Sequence, residues 1–311
     1  MRKLTALAMV LAVTSVNAAE ELRFGDINYF IKKGEFNLAA DVSSTYEKRT
    51  IADETLETRG VLFETSYGIG LTDQFNIYLG LDYAYDREVE NKTTPAATDY
   101  NQDGLANPAI AANYRVLNQS SSSYNLDLGA VARINIEDAE EGDSVAGDSN
   151  DGNFANGRSS LEVNLRAGKK WNEANEWQFG GGVVYHHDGE YTQNLTTGDR
   201  DIDLDSSVDL FLRAAYQYRP VETFMMLVSA QATRVGQVDG EDNTNADIRE
   251  EDHIDWDYGF SAKYLITDHF ITKFNYNISS NRDYNTRTGA TRGKVDSRKE
   301  NSFGLGVEFL F

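Results

Sequence analysis

The property that most narrows the folds open to this chain is a period of two in its apolar residues. From 75 to 86, Phe75, Ile77, Leu79, Leu81, Tyr83 and Tyr85 alternate with Asn76, Tyr78, Gly80, Asp82, Ala84 and Asp86. From 124 to 135, Tyr124, Leu126, Leu128, Ala130, Ala132 and Ile134 alternate with Asn125, Asp127, Gly129, Val131, Arg133 and Asn135. Successive side chains of a strand point to opposite faces, so each stretch is a strand with one apolar and one polar face, and helical spacing fits neither. The same rhythm runs through 35–46, 58–71, 105–117, 158–171, 177–188, 204–218, 223–235, 253–265, 270–279 and 300–311, which predicts twelve strands.

The connections alternate too. Short ones at 72–74, 118–123, 172–176, 219–222 and 266–269 separate long polar ones at 47–57, 87–104, 136–157, 189–203, 236–252 and 280–299. Tight turns at one end and long loops at the other are the signature of an all-β, transmembrane, antiparallel up-and-down β-barrel; a secreted sandwich or soluble barrel rarely keeps that alternation. Periodicity alone leaves open which face is outside. The aromatics decide it: Phe75, Tyr114, Tyr124, Trp171, Trp177, Tyr216, Tyr218, Phe224, Tyr264 and Phe270 flank the short turns, and Tyr46, Tyr83, Tyr85, Tyr185, Trp256 and Tyr276 lie toward the loops. Two such girdles match the two interfaces of a bilayer. The polar set mixes charges with glycines, as a lumen does. The chain ends on Phe303, Leu305, Val307, Phe309 and Phe311, an alternating strand with a terminal aromatic that resembles the signal by which bacterial outer-membrane barrels are handed to the barrel-assembly machinery. An even strand number places both ends of the barrel domain, 35–311, on the periplasmic side.

Composition removes other classes. With 29 basic and 50 acidic residues the net charge is −21, which repels nucleic acid, and the absence of cysteine excludes disulfides, thiolate metal sites and cysteine nucleophiles. A mean hydropathy of −0.52 is too polar for a helical membrane protein. Arg2 and Lys3 before the apolar run Leu4–Val13, followed by Val16-Asn17-Ala18, read as a signal peptide over 1–18 with Ala19 opening the mature chain, whose charge is then 27 − 50 = −23. Residues 19–34 read as a periplasmic tail, a lumen plug or a slipped strand, three alternatives the pattern leaves open.

Tyr67-Gly68-Ile69-Gly70-Leu71-Thr72-Asp73 before the strand from Phe75, and Gly104-Leu105-Ala106-Asn107-Pro108 running into Ala112-Asn113-Tyr114-Arg115, resemble motifs of the outer-membrane family named for the meta-pathway of phenol degradation. The family's second motif usually reads Gly-Leu-Gly-Asp-Pro before Lys-Tyr-Arg, from which Ala106 and Asn107 depart. The resemblance is clearest over 60–190 and rests on turn and strand residues. It implies a Gram-negative outer-membrane protein that admits small, often aromatic or hydrophobic, compounds.

Counting inward residues from the short turns puts Asp41, Glu64 and Asp82 near mid-height on one wall, and Arg166 and Arg213 on the opposite one. Opposed acid and base across a constriction would set up a transverse field acting on polar solutes; the alternative is that these side chains meet and fill the lumen. Arg133, Glu162, Asp209 and His186 are expected in a wider outer vestibule. The loops are strongly acidic at 137–151 and 239–252, whereas the last carries Arg282, Arg287, Arg292, Lys294, Arg298 and Lys299, suited to pairing with its acidic neighbours or with anionic lipopolysaccharide. Asp99-Tyr100-Asn101-Gln102-Asp103-Gly104 matches the first half of an EF-hand loop, so Asp99, Asn101 and Asp103 are candidate Ca²⁺ ligands, against the plainer reading of a turn; the expected twelfth ligand is Ile110, which has no oxygen to offer. The histidines, His186, His187, His253 and His269, form no His-x-Ser pair, so no enzyme is expected. The sequence therefore reads as a passive channel for small solutes, with a non-conducting barrel whose loops serve adhesion as the alternative.

Overall fold

The computed structural model describes residues 22–311 except 52–53, 94–99, 138, 142, 146–147, 151, 156, 194–199 and 290. Twelve antiparallel strands form a closed ring in chain order: β1 (Phe36–Ile51), β2 (Glu54–Thr72), β3 (Phe75–Asn91), β4 (Ala109–Leu117), β5 (Asn125–Arg133), β6 (Arg158–Asn172), β7 (Asn175–Gln193), β8 (Ser207–Val221), β9 (Phe224–Val235), β10 (His253–Thr267), β11 (Phe270–Asn281) and β12 (Thr291–Leu310). The ring closes where β12 pairs with β1, from Asn37↔Leu310 to Ile51↔Val295. The amide of Phe36 donates to the carbonyl of Phe311 at 2.9 Å and the amide of Phe311 returns to Phe36 at 2.8 Å. Closure leaves no sheet edge unpaired, the condition for a sheet to cross hydrocarbon.

The barrel is apolar outside. Leu212 is 72% exposed, Leu305 65% and Phe303 55%, in company with Val42, Phe63, Leu79, Leu128, Leu161 and Phe179. An exposed apolar belt of this extent has no place in water, and it makes the molecule a transmembrane barrel. The small packed core lies inside, at the short-turn end, where Phe24, Met225, Ile271 and Leu310 meet.

Four of the five tight turns share a local device. Gln74 N–H donates to Thr72 Oγ1, Ser120 N–H to Asn118 Oδ1, Ala174 N–H to Asn172 Oδ1 and His269 N–H to Thr267 Oγ1, so a side-chain oxygen takes the amide two residues on and bends the chain without glycine. A register shift one to three residues before each of the five short turns completes the reversal.

At the other end the strands run further than their apolar pattern. The expected loop at 47–57 is mostly ladder, because β1 and β2 stay paired as far as Ile51↔Glu54. Residues 100–105 extend the wall beside β3, and 200–204, 238–242, 247–250 and 284–288 pair in turn between β7 and the start of β12. Above the bilayer both faces of a strand are wet, so alternation is lost while backbone pairing continues. That is why these segments look like loops in sequence.

Candidate functional site: the barrel lumen

The short-turn end of the lumen holds the chain's own N-terminal segment. Glu176 of β7 accepts the amides of Ile27 and Asn28, both at 2.9 Å, and the Asn28 side-chain amide at 2.7 Å. Arg115 of β4 forks onto Asp127 of β5 at 2.8 and 3.0 Å, gives a third bond to the Asn28 carbonyl at 2.8 Å, and stacks on Phe30 with 4.6 Å to the ring centre. Asp26 receives Lys170 of β6 at 3.0 Å and Arg219 of β8 at 2.5 Å. Of the three expectations for residues 19–34, the described part, from Leu22, lies within the barrel and is neither a free tail nor a strand. The signal peptide and Ala19 fall outside the described residues.

This packing explains glycines that the pattern alone leaves unexplained. Gly34 N–H donates to the Gly70 carbonyl at 2.8 Å and Gly70 N–H to Glu35 at 3.0 Å; a Cβ on Gly70 would overlap the Lys32 carbonyl, and one on Gly168 would overlap the Asn28 side chain. Gly70 belongs to the Tyr-Gly-Ile-Gly motif, so that motif serves the seating of the N-terminal segment as well as a turn. Beside it, burial and the Glu35 carboxylate that accepts the Tyr29 hydroxyl push the Tyr29 phenol up.

At mid-height Asp41, Glu64 and Asp82 occupy one cross-strand row, Asp41↔Glu64↔Asp82. They differ in charge balance. Asp41 is bonded to Lys273 of β11 at 2.6 Å and to the Asn275 amide at 3.0 Å, because Gly306 of the intervening strand leaves room for both. Asp41 is thus neutralised by a lysine that parity assigns to the lumen and that only ring closure brings near. Glu64 and Asp82 have no cationic side chain in bonding range among the described residues, and Glu64 is open to the lumen.

Across the ring, Arg166 of β6 and Arg213 of β8 both pair with Gly180 of β7, Arg166↔Gly180↔Arg213. Arg213 lies six strands from Glu64, and each stands eight residues from the short-turn end of its strand, at Val221 and Thr72. The acid and base walls thus face each other at the same level. Arg166 donates to Asn113 Oδ1; Arg213 has the Phe211 ring 5.8 Å away and, among the described residues, no carboxylate within ion-pair distance. A cavity of about 450 Å³ opens beside Arg213, lined by Gln178, Ser229, Gln231, Asn277, Ser279 and Ser302 among others.

Toward the loops the four vestibule residues pair off. His186 Nε2 lies 2.8 Å from Asp209, whose other oxygen accepts the Gly236 amide at 2.9 Å, and Arg133 lies 3.8 Å from Glu162. Above them Asp242 accepts Thr244 and Ala246 and binds Arg200 at 2.6 Å; those bonds, from Thr244 first, hold its carboxyl well below the usual range. The last loop folds as a hairpin, with Arg298 on Glu47 at 2.9 Å and Lys294 on Asp283 at 2.8 Å, so part of its basic charge does pair with acids.

Of the candidate Ca²⁺ ligands, Asp99 lies outside the described residues. Asn101 and Asp103 sit on the extended 100–105 segment, and Asp103 accepts the Arg87 amide at 3.0 Å. Among the described residues no group of three or more His, Asp or Glu side chains gathers in a metal-holding arrangement.

The class these features define is the transmembrane β-barrel with a water-accessible, charge-lined lumen. Neither the known protein families nor the curated proteins include a match to the sequence. Among solved structures the chain is similar to an outer-membrane channel from Pseudomonas putida F1, at 12% identity and a TM-score of 0.59, over 94% of this chain and 100% of that one. Weaker likenesses are to the NanC porin (10% identity, 87% of this chain and 98% of that one, TM-score 0.45) and to the TodX monoaromatic hydrocarbon channel (11%, 91% of each, TM-score 0.41). At such identities the first of these establishes a shared fold.

Proposed function

We propose that the protein is a passive diffusion channel for small solutes in the outer membrane of a Gram-negative bacterium. The observation that carries this reading is the pair of opposed, uncompensated charge walls at mid-height, Glu64 and Asp82 against Arg166 and Arg213, beside open lumen. A filled barrel would bring such side chains together as ion pairs, since unpaired charge in a closed interior is costly. Charge facing charge across water is instead how a pore discriminates among solutes. The fold it shares over 94% of its length with a bacterial outer-membrane channel supports the reading. The N-terminal segment acts in it as a plug that narrows the inner end. The terminal Phe303–Phe311 strand serves delivery to the assembly machinery, and the loop-end basic residues face the lipopolysaccharide side.

The decisive experiment is single-channel recording of the refolded protein in a planar bilayer. A discrete, reproducible conductance is expected. Folded protein, verified by heat-dependent mobility, that passes no current would remove the channel in favour of a closed barrel with surface-active loops. In conducting protein, Asp82→Asn and Arg213→Ala should shift the reversal potential in opposite directions under a salt gradient, whereas unchanged potentials in both would reject the transverse field.

A further inference from the structure

The cationic wall is built in a way that ion-pair architecture does not require. Arg166 and Arg213 converge over Gly180: a Cβ placed on that glycine would lie 3.0 Å from Arg166 Cγ and 3.3 Å from Arg213 Nε, so the two side chains share the space a side chain at 180 would fill. Like charges brought together cost free energy unless an anion joins them. Glu162 is the carboxylate whose field reaches Arg213, but it lies 3.8 Å from Arg133 and accepts the Asn164 amide at 2.7 Å, so among the described residues no carboxylate bridges the two arginines. The nearest polar partner is the neutral Asn113 amide oxygen on Arg166. The Nε atoms of both arginines are buried and without a hydrogen-bond partner among the described residues. A buried donor left unpaired costs free energy, and at Arg213 the open cavity beside it gives room for a solute to supply the missing acceptor.

The adjoining cavity indicates what else such a ligand carries. Its wall from β7 to β12 presents amides and hydroxyls: Gln178, Ser229, Gln231, Asn277, Ser279 and Ser302. The two acids on that wall are already engaged, Asp257 by the Ser279 hydroxyl and Glu300 by Arg298 at 3.2 Å. Arg213 is thus the cationic group of the cavity lining, and among the described residues no ion pair or hydrogen bond holds its guanidinium. We infer that Arg166 and Arg213 form a binding site for the carboxylate of a small hydroxylated organic acid whose hydroxyls are taken up by the amide- and hydroxyl-lined cavity beside them. Guanidinium groups suit a planar carboxylate because two N–H bonds can run parallel to its two oxygens. A purely hydrophobic compound would leave both the arginines and the cavity wall unsatisfied. As a step in permeation the site rests on the channel reading above; as a binding site it can be measured independently.

The probe is sodium gluconate, a six-carbon hydroxylated carboxylate, with sorbitol as its uncharged counterpart. Isothermal titration of the full-length protein in detergent is expected to show saturable binding of gluconate and none of sorbitol. Affinity should fall at least about tenfold in Arg213→Gln and further in the Arg166→Gln/Arg213→Gln double variant, while Arg213→Lys keeps part of it. Heat-dependent mobility certifies that each variant is folded, and glutamine keeps most of the side-chain length. Absence of saturable gluconate binding to the native protein, equal binding of sorbitol, or unchanged affinity in the folded double variant would each overturn the site. Recording currents in parallel separates the two readings: gluconate binding without conductance removes the channel and leaves the site, and conductance with no gluconate affinity does the reverse.

Discussion

Asp26 is held by two cations from different strands, and all three side chains are almost wholly withdrawn from solvent. Removing one member of such a group strands the others as buried charge, at a cost of about 3–5 kcal/mol. Asp26→Ala should therefore release the N-terminal segment while leaving the membrane-embedded ladder intact. Hydrogen exchange would register this as lost protection at residues 27–34 with unchanged protection in β1–β12; protection retained at 27–34 would show that Glu176 and Arg115 suffice to seat the segment. Lys273 makes a second residue-scale prediction. Lys273→Met removes the cation bonded to Asp41, so the acid wall loses its counter-charge and the reversal potential should move toward cation preference. An unchanged potential would mean that Asp41 does not face the permeation path. Lys273 also shows where inference from sequence stops. Alternation alone assigns it to the lumen, but its partner lies 232 residues earlier and becomes a neighbour only through closure of β12 onto β1.

At the scale of elements, the segments over the loop end stand on a few polar anchors. The Asp242 carboxyl gathers the turn from 242 to 246 and ties it to Arg200. Its pKa is depressed, so the carboxylate stabilises the folded turn above the ordinary carboxylate range near pH 4, and that contribution is lost only as pH falls through the lower folded value. Exchange protection of the Thr244 and Ala246 amides is expected to persist at pH 4 and to collapse in stronger acid, whereas Asp242→Ala should abolish it at every pH; protection lost already at pH 5 would contradict the assignment. At the opposite end, Thr72→Val and Thr267→Val delete the hydroxyls that close the tight turns. Each should cost about 1 kcal/mol, read as a lowered urea midpoint in lipid vesicles. The twelve strands and five tight turns were legible in sequence because one face meets hydrocarbon, which enforces alternation. The short paired segments above the membrane were not, since no solvent contrast acts on them. The same holds for residues 100–105, whose backbone is a strand although their sequence has the look of a turn.

Taken as a whole molecule, the barrel carries its narrowest packing at the short-turn end and its free charge at mid-height. Parity and counting assign Glu64, Asp82, Arg166 and Arg213 an inward direction, a wall and a depth, and the cross-strand rows Asp41↔Glu64↔Asp82 and Arg166↔Gly180↔Arg213 are what that assignment requires of the ladder. The seating of residues 22–35 did not, because it depends on contacts among six or more strands that no local pattern encodes. A chain lacking residues 22–34 is therefore expected to fold and to conduct several-fold more current than the full chain; equal conductance would show that the segment does not limit flow. The reciprocal amide bonds of Phe36 and Phe311 have a different implication. They lie at the edge of the seam that joins β12 to β1, the two ring strands farthest apart in sequence, so the wall cannot be sealed by its early strands alone, and an intermediate holding only β1–β11 would meet hydrocarbon with two unpaired edges.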